Sequence, residues 1–311
     1  MKKLKFNENG QFKIVQFTDL HVGAYPFVEE DLQTLKLMEK AILEEKPDLV
    51  VVTGDLIWSE GIKDPLKSYE VVLDVLNKTG IPFAIVHGNH DTEENITRSD
   101  LLKMEETIEQ ALSKDGEDIK GRNNYSIPIY TSSEEAVGSV LYMLDSGAHD
   151  LYEIGTYEWI LPEQVSWFLR EAKTYHEDSS NKIPSLSFFH IPLPEYKNIN
   201  LSNKTVGVKN EEICSPELNS GFYTALFEQG DVMATFVGHD HDNDFCGNYH
   251  GISLGYGRVS GFNCYGELTR GARIITLSEQ KHSFQTYLKL SNGEETSHYT
   301  HHESTRKEVI S

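Results

Sequence analysis

The stretch "TFVGHDHDND" (residues 235–244) sets two histidines and three aspartates in its last six positions, directly behind a short apolar run. It is either a solvated acidic turn or one arm of a metal site whose other arms lie elsewhere in the chain. Four more strand-like runs end in the same way. "KIVQFTDLH" closes on Asp19 and His21, "LVVVTGD" on Asp55, "FAIVHGNHD" on Asn89, His90 and Asp91, and "SLSFFH" on His190. The run opening at Thr235 closes on His239 and His241. In open α/β sheets the carboxyl ends of strands form the crevice where ligands bind. These residues are therefore expected at one edge of a sheet. Seven unrelated polar residues is the competing reading, and chance would scatter them.

The spacing is chemically consistent. Asp-x-His and His-x-His put two side chains on one side of an extended segment, because extended side chains alternate with a period of two. Glycine ahead of Asp55, Asn89 and His239 is expected to let the chain turn sharply after each strand. The collected donors are oxygen and imidazole nitrogen with no thiolate. Such a set has enough ligands for two cations sharing a carboxylate. It suits manganese, iron, zinc, cobalt or nickel better than calcium.

The rest of the chain alternates strand and helix. "EEDLQTLKLMEKAILEEK" (29–46) has Leu32, Leu35, Met38 and Ile42 at helical spacing, with Pro47 behind it. "DLVVVT" (48–53) is a continuous β-branched run, expected of a strand buried on both faces. "PLKSYEVVLDVLNKTG" (65–80) reads as a helix between Pro65 and Gly80. Further helices are expected from a cap at Ser99 to about Ser113, over 162–176 and over 216–229, with strands at 82–87, 123–129, 139–145, 185–190 and 232–237. Past 250 the chain is rich in strands and glycine, which suggests a second sheet packed on the first. The expected fold class is α/β, a layered sandwich of two mixed β-sheets flanked by α-helices. Residues 1–291 are expected to form a single domain, and 292–311 a polar, loosely held tail.

Bulk properties narrow the function. The 311 residues are ample for one large domain with a real core. The net charge of -21 disfavours duplex nucleic acid as a partner. No apolar run approaches the roughly 18–20 residues of a membrane span. The N-terminal residues do not read as a signal peptide. Three cysteines, Cys214, Cys246 and Cys264, fit a reducing compartment. A cytoplasmic location is expected, and a mature secreted form is the alternative.

Asp19-x-His21, Gly54-Asp55, Gly88-Asn89-His90-Asp91, His190 and Gly238-His239-x-His241 resemble, in order, the five motifs of the calcineurin-like metallophosphoesterase superfamily. The resemblance spans residues 12 to about 277. "VVTGDLIW", "GHDHDND", "GRVSGFNCYG" and "RGARII" are similar to its purple-acid-phosphatase-like branch. The resemblance implies that Asp19, His21 and His241 hold one metal and Asn89, His190 and His239 the other, with Asp55 shared. It implies that His90 acts beside the substrate as the catalytic residue. Two divalent or trivalent ions, manganese, iron or zinc, are the implied cofactors. The implied reaction is hydrolysis of phosphate monoesters, small or on a phosphoprotein, by a hydroxide bridging the metals. A phosphodiesterase for cyclic nucleotides or other small diesters is the alternative, and a non-catalytic metal-binding scaffold the alternative of another class.

One departure stands out. Many relatives place a second aspartate, which orients the histidine, where this chain has Trp58; either Asp91 or another acid takes that role, or His90 is less basic than usual. Coloured purple acid phosphatases place an iron-bound tyrosine at the same position, so no tyrosinate colour is expected. Asp240, Asp242 and Asp244 are either an acidic surround for the ligands or a solvated turn. Arg258 and Arg270 are candidates for holding phosphate oxygens, against ordinary surface pairing. His87, His149, His250 and the tail histidines lack a motif and are expected to be surface or core residues.

Overall fold

The computed structural model describes residues 3–176, 182–201 and 204–302. In chain order the strands are β1 (Gln11–Phe17), β2 (Leu49–Thr53), β3 (Phe83–Val86), β4 (Glu117–Ile119), β5 (Arg122–Tyr130), β6 (Val137–Leu144), β7 (Ser185–Phe188), β8 (Val232–Val237), β9 (Cys246–Tyr249), β10 (Ile252–Tyr256), β11 (Gly271–Ser278), β12 (Phe284–Leu290) and β13 (Glu295–His301). The helices are α1 (Glu29–Glu45), α2 (Pro65–Lys78), α3 (Arg98–Glu105), α4 (Pro162–His176) and α5 (Phe222–Gln229). One sheet runs β13-β12-β11-β1-β2-β3 and the other β4-β5-β6-β7-β8-β10-β9. Both mix parallel and antiparallel pairs.

Strand β2 shows why an unbroken apolar run was needed. Leu49 and Val51 face the core between the sheets, with Leu141, Leu186, Phe188 and Phe236. Val50 and Val52 face the opposite way, onto Met38 of α1 and Val72 of α2. With both faces covered, no position is left for a polar residue. The second sheet repeats the pattern, its outer face packing on Trp167 and Phe168 of α4 and Leu226 of α5. The layers are thus helix, sheet, sheet, helix.

Four expectations need correction. The late strands do not form a sheet of their own: β11 to β13 extend the sheet of β1, and β9 and β10 extend that of β8. Helix α3 is capped by Thr97 rather than Ser99, and it ends at Glu105. It stops because the following segment turns back to pair with β3, through Phe83 N–H to Gln110 O and Leu112 N–H to Phe83 O. Helix α5 starts only at Phe222, because Gly221 has a left-handed φ of 79°. The tail assigned to 292–311 begins as an ordered edge strand, β13, on β12; its last residues, 303–311, lie outside the described set. Threonines and Tyr299 give that segment β-propensity despite its polarity. Among the described residues, no helix is long and apolar enough to cross a membrane.

His301 fastens β13 down. Its Nδ1 lies 2.9 Å from Ser253 Oγ and its ring stacks on Phe284 at 5.3 Å. Burial, aided by His282 and His302, holds its pKa down from 6.5 to about 4. The unfolded chain then takes up the proton first. Stability is complete above pH 6.5 and falls as the pH drops towards about 4. The loss should be on the order of 3 kcal/mol. Urea midpoints measured across this window should fall more steeply for the wild type than for His301→Gln; parallel slopes would refute the linkage.

Candidate metal centre

The seven side chains meet, although not at the edge of one sheet. Asp19, His21, Asp55 and Asn89 follow β1, β2 and β3 of the first sheet, while His190, His239 and His241 follow β7 and β8 of the second. The site spans the ends of both sheets. Buried Gln16 helps join the two layers beneath it, its Nε2 donating to Thr53 Oγ1 at 2.9 Å and to Val237 O at 3.2 Å.

Ligand-type atoms fall into two groups, Asp19 with His21 and His241, and Asp55 with His190 and His239, each within 4.8 Å of one another. Asn89 joins the second, its Oδ1 lying 3.2 Å from His190 Nε2. Asp55 lies between them. Its Oδ1 accepts the His90 N–H at 2.9 Å, and its Oδ2 is 3.2 Å from His190 Nε2 and 3.6 Å from His21 Nε2. One carboxylate oxygen thereby faces an imidazole of each group.

The donor set fits cations. His190 Nδ1 donates to Thr53 O at 2.7 Å and His241 Nδ1 to Tyr265 O at 3.1 Å. In the neutral rings this leaves Nε2 as a bare lone pair aimed inward, as in metal-binding histidines whose other nitrogen donates to the protein. Those lone pairs confront other acceptors: His241 Nε2 lies 3.5 Å from Asp19 Oδ1 and 3.2 Å from His21 Nε2. His21 Nδ1, Asn89 Nδ2 and His239 Nε2 are buried without a partner. Proton uptake at His190 relieves part of this opposition, while His21 and His239 stay neutral and keep a lone pair for a cation. Burial drives His21 to about 3; burial and the nearby His190 charge hold His239 at about 3. Burial also opposes charge on His190, but the Asp55 carboxylate outweighs it and lifts that ring to about 9.

The backbone carries strain at the same places. The φ angle is 53° at Asp19, 46° at His21, 52° at Asp55 and 81° at His239. Non-glycine residues seldom occupy that region. The glycines ahead of the ligands serve differently than their spacing suggests. Only Gly54 has a positive φ, 87°. Gly88 and Gly238 are needed for close approach, since a Cβ there would fall on the Asp55 carboxylate and on Thr18.

Asp91 does not orient His90. Its carboxylate accepts the N–H groups of Gly88, Asp55, Leu56 and Ile57 at 2.7, 3.0, 2.7 and 3.1 Å. The acid on His90 is Glu93, with Oε1 2.6 Å from Nδ1. An acid three residues on in the sequence was the available signal for it. Trp58 packs on His21 and His90 with centroids 4.2 and 4.5 Å away. Tyr265 stacks on His241 at 3.9 Å, and Tyr157 meets His239 edge-on at 4.3 Å. His149, expected at surface or core, stands at the mouth 5.8 Å from the His90 ring.

The arginines and the acidic run are structural. Arg258 pairs with Asp244 and donates to Thr269 O. Arg270 donates to the carbonyls of Gly261, Cys264, Tyr265, Gly266 and Leu268. Asp240 accepts from Tyr256, Asp242 from the N–H groups of Glu267 and Leu268, and Asp244 from Val208 N–H. These aspartates pin the loops around the ligands and form no solvated turn. His87 is a core residue, bound to Glu105 at 3.0 Å.

The calcineurin-like phosphoesterase family model matches residues 12–243, and the chain belongs to that family. It is 36% identical over 312 residues to the probable inactive purple acid phosphatase 29 of Arabidopsis thaliana, covering 90% of this chain and 80% of that one. It is 33% identical over 276 residues to the phosphatase DCR2 of Saccharomyces cerevisiae, covering 79% of this chain and 46% of that one. In fold it is similar to a dimetal phosphatase from Danio rerio, with a TM-score of 0.64 at 14% identity over 94% of this chain and 98% of that one.

Two outcomes follow. Asp91→Ala strands four buried N–H groups. It should cost on the order of 3–5 kcal/mol of stability in chemical denaturation, more than a surface substitution. Iron-loaded protein should lack tyrosinate charge-transfer absorption: burial holds the Tyr157 phenol up at about 12 and Tyr265 donates to Glu211 at 3.1 Å. A purple chromophore would place one of these tyrosines on the metal.

Proposed function

We propose that this chain is a two-metal phosphoesterase acting on phosphate monoesters, carried by small molecules or phosphoproteins. Asp19, His21 and His241 would hold one ion, and Asn89, His190 and His239 the other, with Asp55 between them. The observation that carries this reading is the Asp55 Oδ2 atom, facing His190 and His21 at once. Manganese, iron or zinc suits an N/O set without thiolate. Bound there, the ions supply charge neutralisation for the phosphoryl oxygens and an activated water at neutral pH.

The chain's own residues do the rest. Glu93 accepts the hydrogen bond of His90 Nδ1–H, which leaves Nε2 to face the leaving oxygen. Burial opposes charge on His90, but the Glu93 bond and the Asp55 carboxylate outweigh it and raise its pKa. The raised pKa favours the protonated ring, the form that can serve as a general acid for the departing alkoxide. Trp58 limits rotation of that ring and shields His21 from water. The name of the Arabidopsis relative describes that protein as probably inactive; here all seven ligand-type residues and His90 are present.

Metal-loaded protein should hydrolyse p-nitrophenyl phosphate faster than bis-p-nitrophenyl phosphate. His90→Ala should lower kcat by about 10²–10⁴-fold and leave metal content unchanged. Preference for the diester would reassign the substrate class. Full activity in His90→Ala, or none in the wild type with any of the three metals, would defeat the reading.

A further inference from the structure

Outside the seven residues just described, a second kind of ligand cluster stands at the mouth. One ligand atom each from His90, Glu93 and His149 lie within 4.8 Å of one another. We propose that these three side chains form a separate inhibitory site for a zinc-type cation. The site itself rests on their geometry; its inhibitory effect rests on the role proposed above for His90.

The cluster is built rather than incidental. Glu93 is fixed on its far side, where Oε2 accepts the Glu60 N–H at 3.0 Å, and its own N–H donates to Ser59 Oγ at 2.7 Å. Oε1 is therefore left to the two rings. His149 is offered by a short hairpin, closed by Glu158 N–H to Ala148 O at 2.8 Å and Asp150 N–H to Thr156 O at 2.9 Å. The Asp150 carboxylate caps the turn by accepting from the N–H groups of Tyr152, Ile154 and Gly155. Tyr157 stacks on the His149 ring at 5.7 Å with 29° between planes.

A hydrogen bond joins His90 to Glu93, whereas His149 comes only within ion-pair distance of the same oxygen. The His149 Nε2 atom is 3.8 Å from Glu93 Oε1. That is too long for a hydrogen bond. It is close to the roughly 3.3 Å that separates two ligands each about 2.0 Å from a tetrahedral zinc. Two imidazoles and one carboxylate with an open fourth position form a typical zinc ligand set. The His149 side chain is 46% exposed, which leaves a path from solvent.

Binding displaces the Nδ1 proton that His90 shares with Glu93 and releases it to solvent. A ring metallated at Nδ1 keeps only its Nε2 proton, whose loss would leave an imidazolate. It is then a far weaker acid, and protonation of the leaving group fails.

The test titrates zinc chloride into the manganese-loaded full chain, with calorimetry, metal analysis after gel filtration and p-nitrophenyl phosphate turnover. The wild type should take up one zinc while retaining its manganese, and lose turnover in step. His149→Ala should keep its melting temperature and basal turnover, and bind that zinc roughly tenfold or more weakly. Zinc that only replaces manganese, equally in both proteins, would overturn the proposal, as would no additional zinc in the wild type. If neither protein hydrolyses substrate, the zinc count still decides the site, and the inhibitory role falls with the enzymatic reading.

Discussion

The buried Asp91 carboxylate holds the loops after β2 and β3 in one piece. It gathers N–H groups from Gly88, Asp55, Leu56 and Ile57, and so fixes the turn that carries Asp55 against the turn that carries Asn89 and His90. Asp55 in turn accepts the His90 N–H and presents its other oxygen to His190 from the opposite sheet. Positions from two layers are thus referred to a single point. The main-chain donors offset part of what this carboxylate loses on leaving water, although burial still raises its pKa, and it replaces the solvent those amides would otherwise need.

That arrangement explains why so much of the site could be read from residues alone. Five strands end in one or more residues of metal-binding type, and strand ends are where an α/β architecture brings distant residues together. The pattern at Asp19, His21, Asp55, Asn89, His190, His239 and His241 was therefore legible without any tertiary information. The division of those strands between two sheets was not. A buried parallel strand such as β2 has the same apolar composition whichever sheet it joins.

The residues that escaped notice act through contacts that sequence spacing does not encode. Glu93 lies three positions past His90, yet only the turn between them shows that it, and not Asp91, meets the ring. His149 is far along the chain from His90 and belongs to a hairpin whose closure depends on main-chain bonds. The aspartates following His239 look solvated by composition but are consumed as acceptors for loop amides, a tyrosine and Arg258. Helix α3 and the C-terminal edge strand were misjudged for a related reason. Pairing with β3 outweighs the helical spacing at the first place, and pairing with β12 outweighs the polarity of the segment at the second.

The left-handed backbone at Asp19, His21, Asp55 and His239 has one more consequence. The folding energy of the two-sheet scaffold meets the conformational cost of assembling the ligands before any ion arrives. An ion bound as proposed would then need little backbone reorganisation, and its selection would reflect the spacing of these ligand atoms. A site with preset ligand positions discriminates by ionic radius and preferred coordination geometry, so ions too large for its span would be disfavoured by misfit even when abundant.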